Sequence, residues 1–257
     1  MKRYFMALLL MPIIICAQTS TPPKQEDSQS CYRVGEMIAP ETFVYNRIGE
    51  TQRLLEIARP ETKVIYLLLF GGASASAVET YGGIWCNDSF NDLPISNYLY
   101  LKYRERGVTF VAVACPPVYS EEEYGFPGST FLAQPETSED WRQAFESFVQ
   151  STCDLQNTHV IPFDRIFFDP KFRLMFNHQK LAKGVAFSDS IFSWMGKLKP
   201  CSDKQSHSLP AIWLLSPAGK VLHEPFVGNR YGTVTQRINF TVREVETALM
   251  EILKTSN

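Results

Sequence analysis

The sequence lacks the features that mark several classes of protein. Its 257 residues carry a net charge of only −2 at neutral pH, so no charge excess predicts binding to nucleic acid or to a membrane surface. The four histidines lie far apart, and none stands at metal-ligand spacing from a cysteine or carboxylate. Gly71-Gly72 lacks the Gly-Lys-Ser/Thr continuation of a phosphate-binding loop. We therefore expect no metal, no cofactor and no nucleic-acid partner.

The N-terminus carries a short apolar segment, Phe5–Ile15, preceded by two basic residues. The segment is too short to span a bilayer as a mature helix and is typical of a signal peptide cleaved near Ala17. Cys16 leaves a lipid anchor as an alternative, which the large Ile15 before it disfavours. We expect residues 1–17 to direct export to the periplasm or the extracellular space, and the mature chain to contain no integral membrane span.

The remainder of the chain is predicted to be one domain. Residues 18–30 are polar, contain two consecutive prolines and are typical of a flexible linker. The length of residues 31–257 fits a single large domain with insertions. We expect these insertions near residues 71–84 and 171–204.

Two continuous apolar runs predict buried strands, Val64–Phe70 and Val108–Ala114. Between them, Leu93–Arg106 is predicted to be a helix that ends at Gly107. Strand, helix and strand in this order form a βαβ unit, whose two strands are parallel.

Later segments predict the remaining elements of the fold. Thr241 and Glu244 match a capping box, and apolar residues at helical spacing follow them. Three further segments are predicted as a helix at Trp141–Val149, a strand at Arg165–Phe168 and a hairpin of Leu209–Leu215 with Val221–His223. The whole pattern indicates an α/β fold with a central mixed sheet flanked by helices.

The cysteines bear on both compartment and chemistry. An exported chain meets an oxidising environment, in which disulfides persist. Five cysteines follow the signal segment, and an odd number leaves at least one without a partner in the chain. Because Cys153 and Cys201 flank the segment that is hardest to assign, we prefer a structural disulfide between them. Cys31 is expected to pair with another chain or to stay free.

The most informative motif is Trp85-Cys86-Asn87-Asp88-Ser89, followed by Asp92-Leu93-Pro94. It resembles the Trp-Cys-x-x-Cys-x-x-Glu-Leu-Pro motif of the thioredoxin-like superfamily, in its exported redoxin, or thiol-disulfide oxidoreductase, branch. The resemblance covers residues 34–253 in outline. It also rests on three other segments, Val34-Gly35-Glu36, Arg106-Gly107-Val108 and Leu209-Pro210-Ala211.

The resemblance implies a thioredoxin-like fold and a site built around Cys86. In that family the first cysteine lies at a helix N-terminus, where backbone amides and the helix dipole favour a thiolate. Pro210 matches the family proline that is usually cis and faces the cysteine. Trp85, Ser89 and Pro210 are therefore expected to flank the catalytic Cys86.

Two departures from the family pattern narrow the expected chemistry. Ser89 stands where the family has its second, resolving cysteine. In addition, Phe70 and Cys86 are sixteen positions apart, where the family has a shorter connection. An insertion of this length raises the question of whether Cys86 still lies at the start of the helix.

Three functional hypotheses follow. The leading one is a single-cysteine thiol-disulfide oxidoreductase in which Cys86 attacks and a second thiol releases it, supplied by Cys115, a protein or a small thiol. The alternative is a non-catalytic binding module that keeps the fold with a degenerate site. A peroxiredoxin-like thiol peroxidase ranks below both, because the Pro-x-x-x-Thr-x-x-Cys context is missing.

Overall fold

A computed structural model describes much of the chain beyond residue 30. The described residues are 31–48, 50–73, 83–84, 86–115, 138–159, 166–168, 198, 201, 209–228 and 240–255. The predicted signal peptide and linker, Trp85 and most of both predicted insertions lie outside these ranges.

The described residues form a seven-stranded mixed sheet. The strands are β1 (Phe43–Tyr45), β2 (Thr51–Arg53), β3 (Val64–Gly71), β4 (Val108–Cys115), β5 (Ile166–Phe168), β6 (Ala211–Leu215) and β7 (Phe226–Val227). Their order across the sheet is β2-β1-β5-β4-β3-β6-β7. β4 lies between β3 and β5 and runs parallel to both. On the other side of β3, β6 runs antiparallel to β3, and β7 runs antiparallel to β6. The predicted parallel βαβ unit is therefore confirmed.

Three α-helices lie in the described part of the chain. They are α1 (Asn87–Tyr103), α2 (Ser138–His159) and α3 (Val242–Thr255), and a short 3-10 helix spans Leu54–Ile57. The predicted capping box is present, since Thr241 N–H donates to the Glu244 carboxylate at 2.6 Å and Glu244 N–H donates to Thr241 Oγ1 at 3.3 Å. Within these described residues we find no helix with both the length and the apolarity that crossing a membrane requires.

Helix α1 begins six residues earlier than predicted, at Asn87 instead of Leu93. The Leu93-Pro94 pair looks like a helix start because proline is favoured in the first turn. The start is instead set by Cys86, whose side chain caps the helix, and Pro94 lies inside it with its ring exposed. Helix α2 also extends beyond the predicted Trp141–Val149 at both ends.

The predicted return strand Val221–His223 pairs with β6 at one antiparallel bridge and does not form a regular strand. The turn before it is present, closed by Ser216 N–H donating to Lys220 O at 2.8 Å, but regular pairing with β6 comes later, in β7. Val221 makes an isolated bridge to Leu215, beside which Leu222 N–H donates to Leu214 O at 2.8 Å, and its own backbone binds the N-terminal segment on the other side. Gly35 N–H donates to Val221 O, and Val221 N–H donates to Glu36 O, both at 2.8 Å.

The two faces of the sheet carry separate apolar layers, because successive strand residues point in opposite directions. We call them the helix layer and the N-terminal layer. The helix layer contains Tyr66, Leu68 and Phe70 of β3 together with buried residues of all three helices. The N-terminal layer contains Ile65, Leu67 and Leu69, covered by residues from the N-terminal segment, the 3-10 helix and Leu198. β3 is buried along its whole length, as its apolar run predicts.

A disulfide joins Cys31 to Cys201, with 5.1 Å between their Cα atoms. The expected Cys153–Cys201 pair is wrong, since Cys153 is a free thiol, as are Cys86 and Cys115. The two faces of the sheet explain the difference. Cys153 packs against the helix layer, whereas Tyr32 and Leu198, close in sequence to Cys31 and Cys201, pack in the N-terminal layer on the opposite face.

Peptide mapping without reduction is expected to find Cys31 linked to Cys201 and Cys153 free. Replacing Cys31 and Cys201 together by alanine should lower the free energy of unfolding by about 2–5 kcal/mol, because the link closes a long loop. Chemical denaturation measures this, with Cys153→Ala as the matched control. A peptide that links Cys153 to Cys201 would contradict the structure.

Both ends of the segment between β3 and α1 contact the same part of α2. Ala73 and Ile84 form an antiparallel bridge, which brings the two ends of the segment together. Ala73 N–H donates to the buried Thr152 Oγ1 at 3.2 Å. At the other end Gly83 has φ +93°, and a Cβ on it would lie 2.5 Å from Leu155 Cδ2. The segment therefore leaves the sheet and returns beside it, so that it does not displace Cys86 from the helix start.

Thr152→Val tests this attachment, since valine keeps the shape of threonine and removes the acceptor for Ala73 N–H. We expect a loss of about 1–3 kcal/mol in unfolding free energy, because a buried donor is left unsatisfied. Thr152→Ser keeps the hydroxyl and loses only a methyl group, which costs about 0.8 kcal/mol. A valine variant as stable as the serine variant, measured by denaturant unfolding, would contradict the role of this hydrogen bond.

Candidate active site

Cys86 lies at the N-terminus of α1 and caps it. Its backbone is extended, at φ −102° and ψ 110°, and its Sγ accepts a hydrogen bond from Ser89 N–H at 3.4 Å. A side-chain acceptor at this position normally satisfies one of the first free amides of a helix. The sulfur therefore fills the place of a capping oxygen, and the backbone amide of the first turn is available to a negative charge on it.

Pro210 lies across from Cys86 at the start of β6. The Leu209–Pro210 peptide is cis, as the family resemblance implies. The Cys86 thiol donates to Leu209 O, with 3.7 Å between sulfur and oxygen. The structure thus places Cys86 against the Leu209–Pro210 peptide, although these predicted site residues are far apart in the sequence.

Ser89 is part of the same cluster and is almost completely buried, with 1% of its surface exposed. Its Oγ accepts a hydrogen bond from Gly71 N–H, the last residue of β3, at 2.9 Å. Ser89 therefore joins the first turn of α1 to the end of the central strand.

Two acidic residues follow in the same helix. Asp88 is in the first turn, and its charge acts on Cys86. Asp92 is 1% exposed and lies against Gly228, which Pro210 also approaches. A side chain at Gly228 would collide with both, at 2.8 Å from Pro210 Cδ, and Gly228 N–H donates to Pro210 O at 2.9 Å. Glycine is thus required for this close approach.

Sequence reasoning missed Asp92 and Gly228 as neighbours of the site. Asp92 had a signal, since it stands at the acidic position of the family motif. Gly228 had none, because its role depends on contacts with residues far away in the sequence.

Cys115 is the last residue of β4 and pairs with Gly71, the last residue of β3, at the end of these strands where the site lies. It is 0% exposed and belongs to the N-terminal layer, against which Cys86 also packs. Cys153 lies on α2, and Cys201 is in the disulfide, so neither belongs to this cluster. Among the residues described, no group of three histidine, cysteine or acidic side chains is arranged to hold a metal.

Burial raises the pKa of the Cys86 thiol above its ordinary value of 9.0. Hydrogen bonds from the Ser89 hydroxyl and amide lower the pKa, and the Asp88 charge raises it again. Burial is the largest of these effects, so it outweighs the helix N-terminus that was expected to favour a thiolate. The resting form at neutral pH is therefore the neutral thiol, which suits its donation to Leu209 O.

The alkylation rate of Cys86 is expected to rise about tenfold per pH unit from pH 6 to beyond pH 9, because only the thiolate reacts. With a pKa above 9.0, no more than about 1% of Cys86 is thiolate at pH 7. Peptide-resolved mass spectrometry after timed iodoacetamide treatment separates Cys86 from the other thiols. A rate that has levelled off by pH 7 would contradict this environment.

The same pKa shift makes folding stability depend on pH. Because the folded state binds the thiol proton more tightly than the unfolded state, the stabilisation is fully present below pH 9. It is lost as the pH rises through the folded-state pKa. Cys86→Ser, which lacks this proton, should lose less stability between pH 8 and pH 10.

No family model matches the chain, and no curated protein sequence matches it. Several solved structures align over most of the chain at low identity. A hypothetical protein from Sinorhizobium meliloti has a TM-score of 0.48 at 12% identity, with 88% of this chain and 87% of that chain covered. An uncharacterized conserved protein from Geobacillus kaustophilus has a TM-score of 0.47 at 14% identity, with 87% and 84% covered.

A secreted disulfide oxidoreductase of Mycobacterium tuberculosis has a TM-score of 0.41 at 12% identity, with 83% of this chain and 99% of that chain covered. All three TM-scores are below 0.5 and all three identities below 25%, so these likenesses say nothing about the chemistry of Cys86. The assignment of the fold depends on the strand order and the site of this chain.

The βαβ unit is followed along the chain by antiparallel β6 and β7 and the terminal helix α3. Cys86 begins the helix of that unit, and Pro210 faces it from the start of β6. Together these features give the described part of the chain a thioredoxin-like fold.

Proposed function

We propose that the protein is a thiol-disulfide exchange protein that uses Cys86 as its single reactive thiol. One observation supports this above all: Cys86 Sγ lies at the first turn of α1 between the Ser89 amide, at 3.4 Å, and Leu209 O, at 3.7 Å. The amide favours a negative charge on the sulfur, and the carbonyl holds the proton of the resting thiol.

The exchange proceeds in two steps. Cys86 loses its proton to solvent, and the thiolate attacks one sulfur of a disulfide R–S–S–R′. A Cys86–S–S–R bond forms, and R′–S⁻ leaves with the electron pair of the broken bond. A second thiolate, R″–S⁻, then attacks the R sulfur, so that R–S–S–R″ forms and the Cys86 thiolate is released. No net oxidation of the protein occurs.

The second thiol is proposed to come from a small thiol or a partner protein. Cys115 is the internal alternative, but it is fully buried in the N-terminal layer and would need to move to reach the mixed disulfide. Ser89 lacks the sulfur that would be required to resolve it. The partners are therefore proteins or small molecules that contain thiols or disulfides.

The competing candidate is a binding module without catalysis. The raised pKa of Cys86 and the donation of its proton to Leu209 O favour this reading, since both keep the sulfur in its unreactive form. A thiol peroxidase has less support, because the Pro-x-x-x-Thr-x-x-Cys context of peroxiredoxins is missing around Cys86.

We further propose that the chain is exported and that residues 31–257 form one domain with insertions near 71–84 and 171–204. The pattern of residues 1–17 supports a cleaved signal peptide over a lipid anchor at Cys16. The Cys31–Cys201 disulfide fits an oxidising compartment, since such bonds are rare in the cytosol.

The test is to incubate the protein with oxidised glutathione at pH 8.5 and to locate adducts by mass spectrometry. We expect one glutathione on Cys86, stable until a free thiol is added. Cys86→Ser should abolish the adduct, and the matched control Cys153→Ser should retain it. The absence of an adduct at Cys86, with the fold intact, would favour the binding module.

Ser89→Cys sharpens the same test. A second thiol at this position would displace glutathione from Cys86 and leave an internal disulfide, so the adduct should no longer accumulate. An adduct as persistent as in the wild type would show that position 89 does not reach the sulfur.

A further inference from the structure

We propose that two copies of this chain associate through the outer face of α1, with the two α1 helices packed antiparallel. This inference goes beyond the proposed exchange at Cys86 and does not depend on it. It rests on an exposed apolar stripe of α1, which we define as Phe90, Pro94, Tyr98 and Leu101.

Helix α1 is apolar on two opposite sides. Leu93, Leu99 and Tyr103 are at most 6% exposed and pack in the helix layer against the sheet. The stripe residues follow one another at intervals of four, four and three positions, which places them together on one side of a helix with about 3.6 residues per turn. That side faces away from the sheet, because the sheet already covers the other one.

The stripe is large enough to bind another protein surface. Phe90 is 37% exposed, Tyr98 46% and Leu101 64%, and the Pro94 ring is exposed as well. At roughly 200 Å² for a fully exposed aromatic side chain, the stripe presents on the order of 300 Å² of mostly apolar surface. A contiguous apolar patch of this size is typical of an interaction site.

Tyr98 is held in place by contacts that reach α3. Glu246 of α3 forms an ion pair with Lys102. Lys102 Nζ in turn donates to the Tyr98 hydroxyl at 3.1 Å and lies 5.4 Å from the centre of the Tyr98 ring. A ring that is fixed before binding loses little side-chain entropy when a partner covers it. Tyr98 is therefore a preformed anchor, and tyrosine is one of the residues that supply most of the energy of an interface.

The spacing of the stripe indicates that its partner is a second copy. The midpoint between Phe90 and Leu101 falls between positions 95 and 96, and the midpoint between Pro94 and Tyr98 falls at position 96. A twofold axis at this point sets Phe90 of each copy against Leu101 of the other, and Pro94 against Tyr98. Every apolar side chain of the stripe then meets another one, so the surface is complementary to itself.

The charges at the two ends of α1 favour the antiparallel arrangement. Asp88 is the acidic residue of the first turn, Lys102 is the basic residue of the last turn, and Arg104 and Arg106 follow it. Glu105 offsets one of these positive charges through its ion pair with Arg104 at 3.5 Å, and the end stays positive overall. Antiparallel packing brings the acidic start of each helix level with the basic end of the other and opposes the two helix dipoles. A parallel pair would set like-charged ends together.

The area of the stripe sets the strength of the association. A permanent dimer covers about 800 Å² or more on each partner, so the stripe forms only the centre of a small interface. We therefore expect a weak, reversible dimer that exchanges with the monomer at micromolar concentrations.

Sedimentation velocity of the protein between about 5 and 500 µM tests the proposal. We expect the sedimentation coefficient to rise with concentration towards that of a dimer. Leu101→Glu and Phe90→Lys should each weaken the association at least about tenfold, because a charge replaces an apolar anchor. Ile48→Lys is the matched control and should associate like the wild type, since Ile48 is 78% exposed and lies outside α1.

A mixture of the two α1 variants tests the antiparallel pairing. Lysine at position 90 of one copy then faces glutamate at position 101 of the other, and the second contact keeps its native Leu101 and Phe90. The mixture should therefore associate more strongly than either variant alone. A mixture no stronger than the separate variants would overturn the antiparallel arrangement.

A wild-type protein that stays monomeric up to about 500 µM would overturn the proposal and assign the stripe to a different protein partner. A dimer that persists in Leu101→Glu, or that Ile48→Lys weakens equally, would also overturn it. The substituted side chains are exposed, so we expect the variants to fold, and the wild-type series gives a result without them.

Discussion

The hydrogen bond from Gly71 N–H to Ser89 Oγ fixes the candidate site to the fold. It fastens the first turn of α1 to the end of the central strand, which is buried along its whole length. Cys86, three residues earlier, is held by the same turn through Ser89 N–H, and its thiol then reaches Leu209 O. The hydrogen bond between Tyr66 OH and Ser96 Oγ, at 2.9 Å, joins α1 to β3 further along the helix.

The chemistry of Cys86 follows from two opposed effects at one sulfur. Burial and Asp88 favour the neutral thiol, whereas the donors of Ser89 favour the thiolate. Burial is the larger effect, so Cys86 is a neutral thiol at neutral pH and reacts more readily as the pH rises. A thiol of this kind attacks disulfides slowly. Because the first turn of α1 contains no second cysteine, a mixed disulfide on Cys86 persists until another thiol attacks it.

The sequence predicts the parts of this structure that depend on local pattern. Apolar runs locate β3 and β4, the capping box locates α3, and the family motif points to Cys86 and Pro210. The start of α1 was misplaced because it depends on a sulfur acting as the cap. The disulfide was mispaired because proximity in sequence does not reveal which face of the sheet a cysteine occupies. Gly228 carries no local signal at all.

The equilibrium of Cys86 with a glutathione redox buffer tests the central claim most directly. The account predicts that the fraction of Cys86 carried as a mixed disulfide is set reversibly by the ratio of oxidised to reduced glutathione. It also predicts the same midpoint when Cys115 is replaced by alanine, because the releasing thiol is external. Cys86 that stays unmodified at every ratio, at pH 8.5 and in the folded protein, would contradict the account.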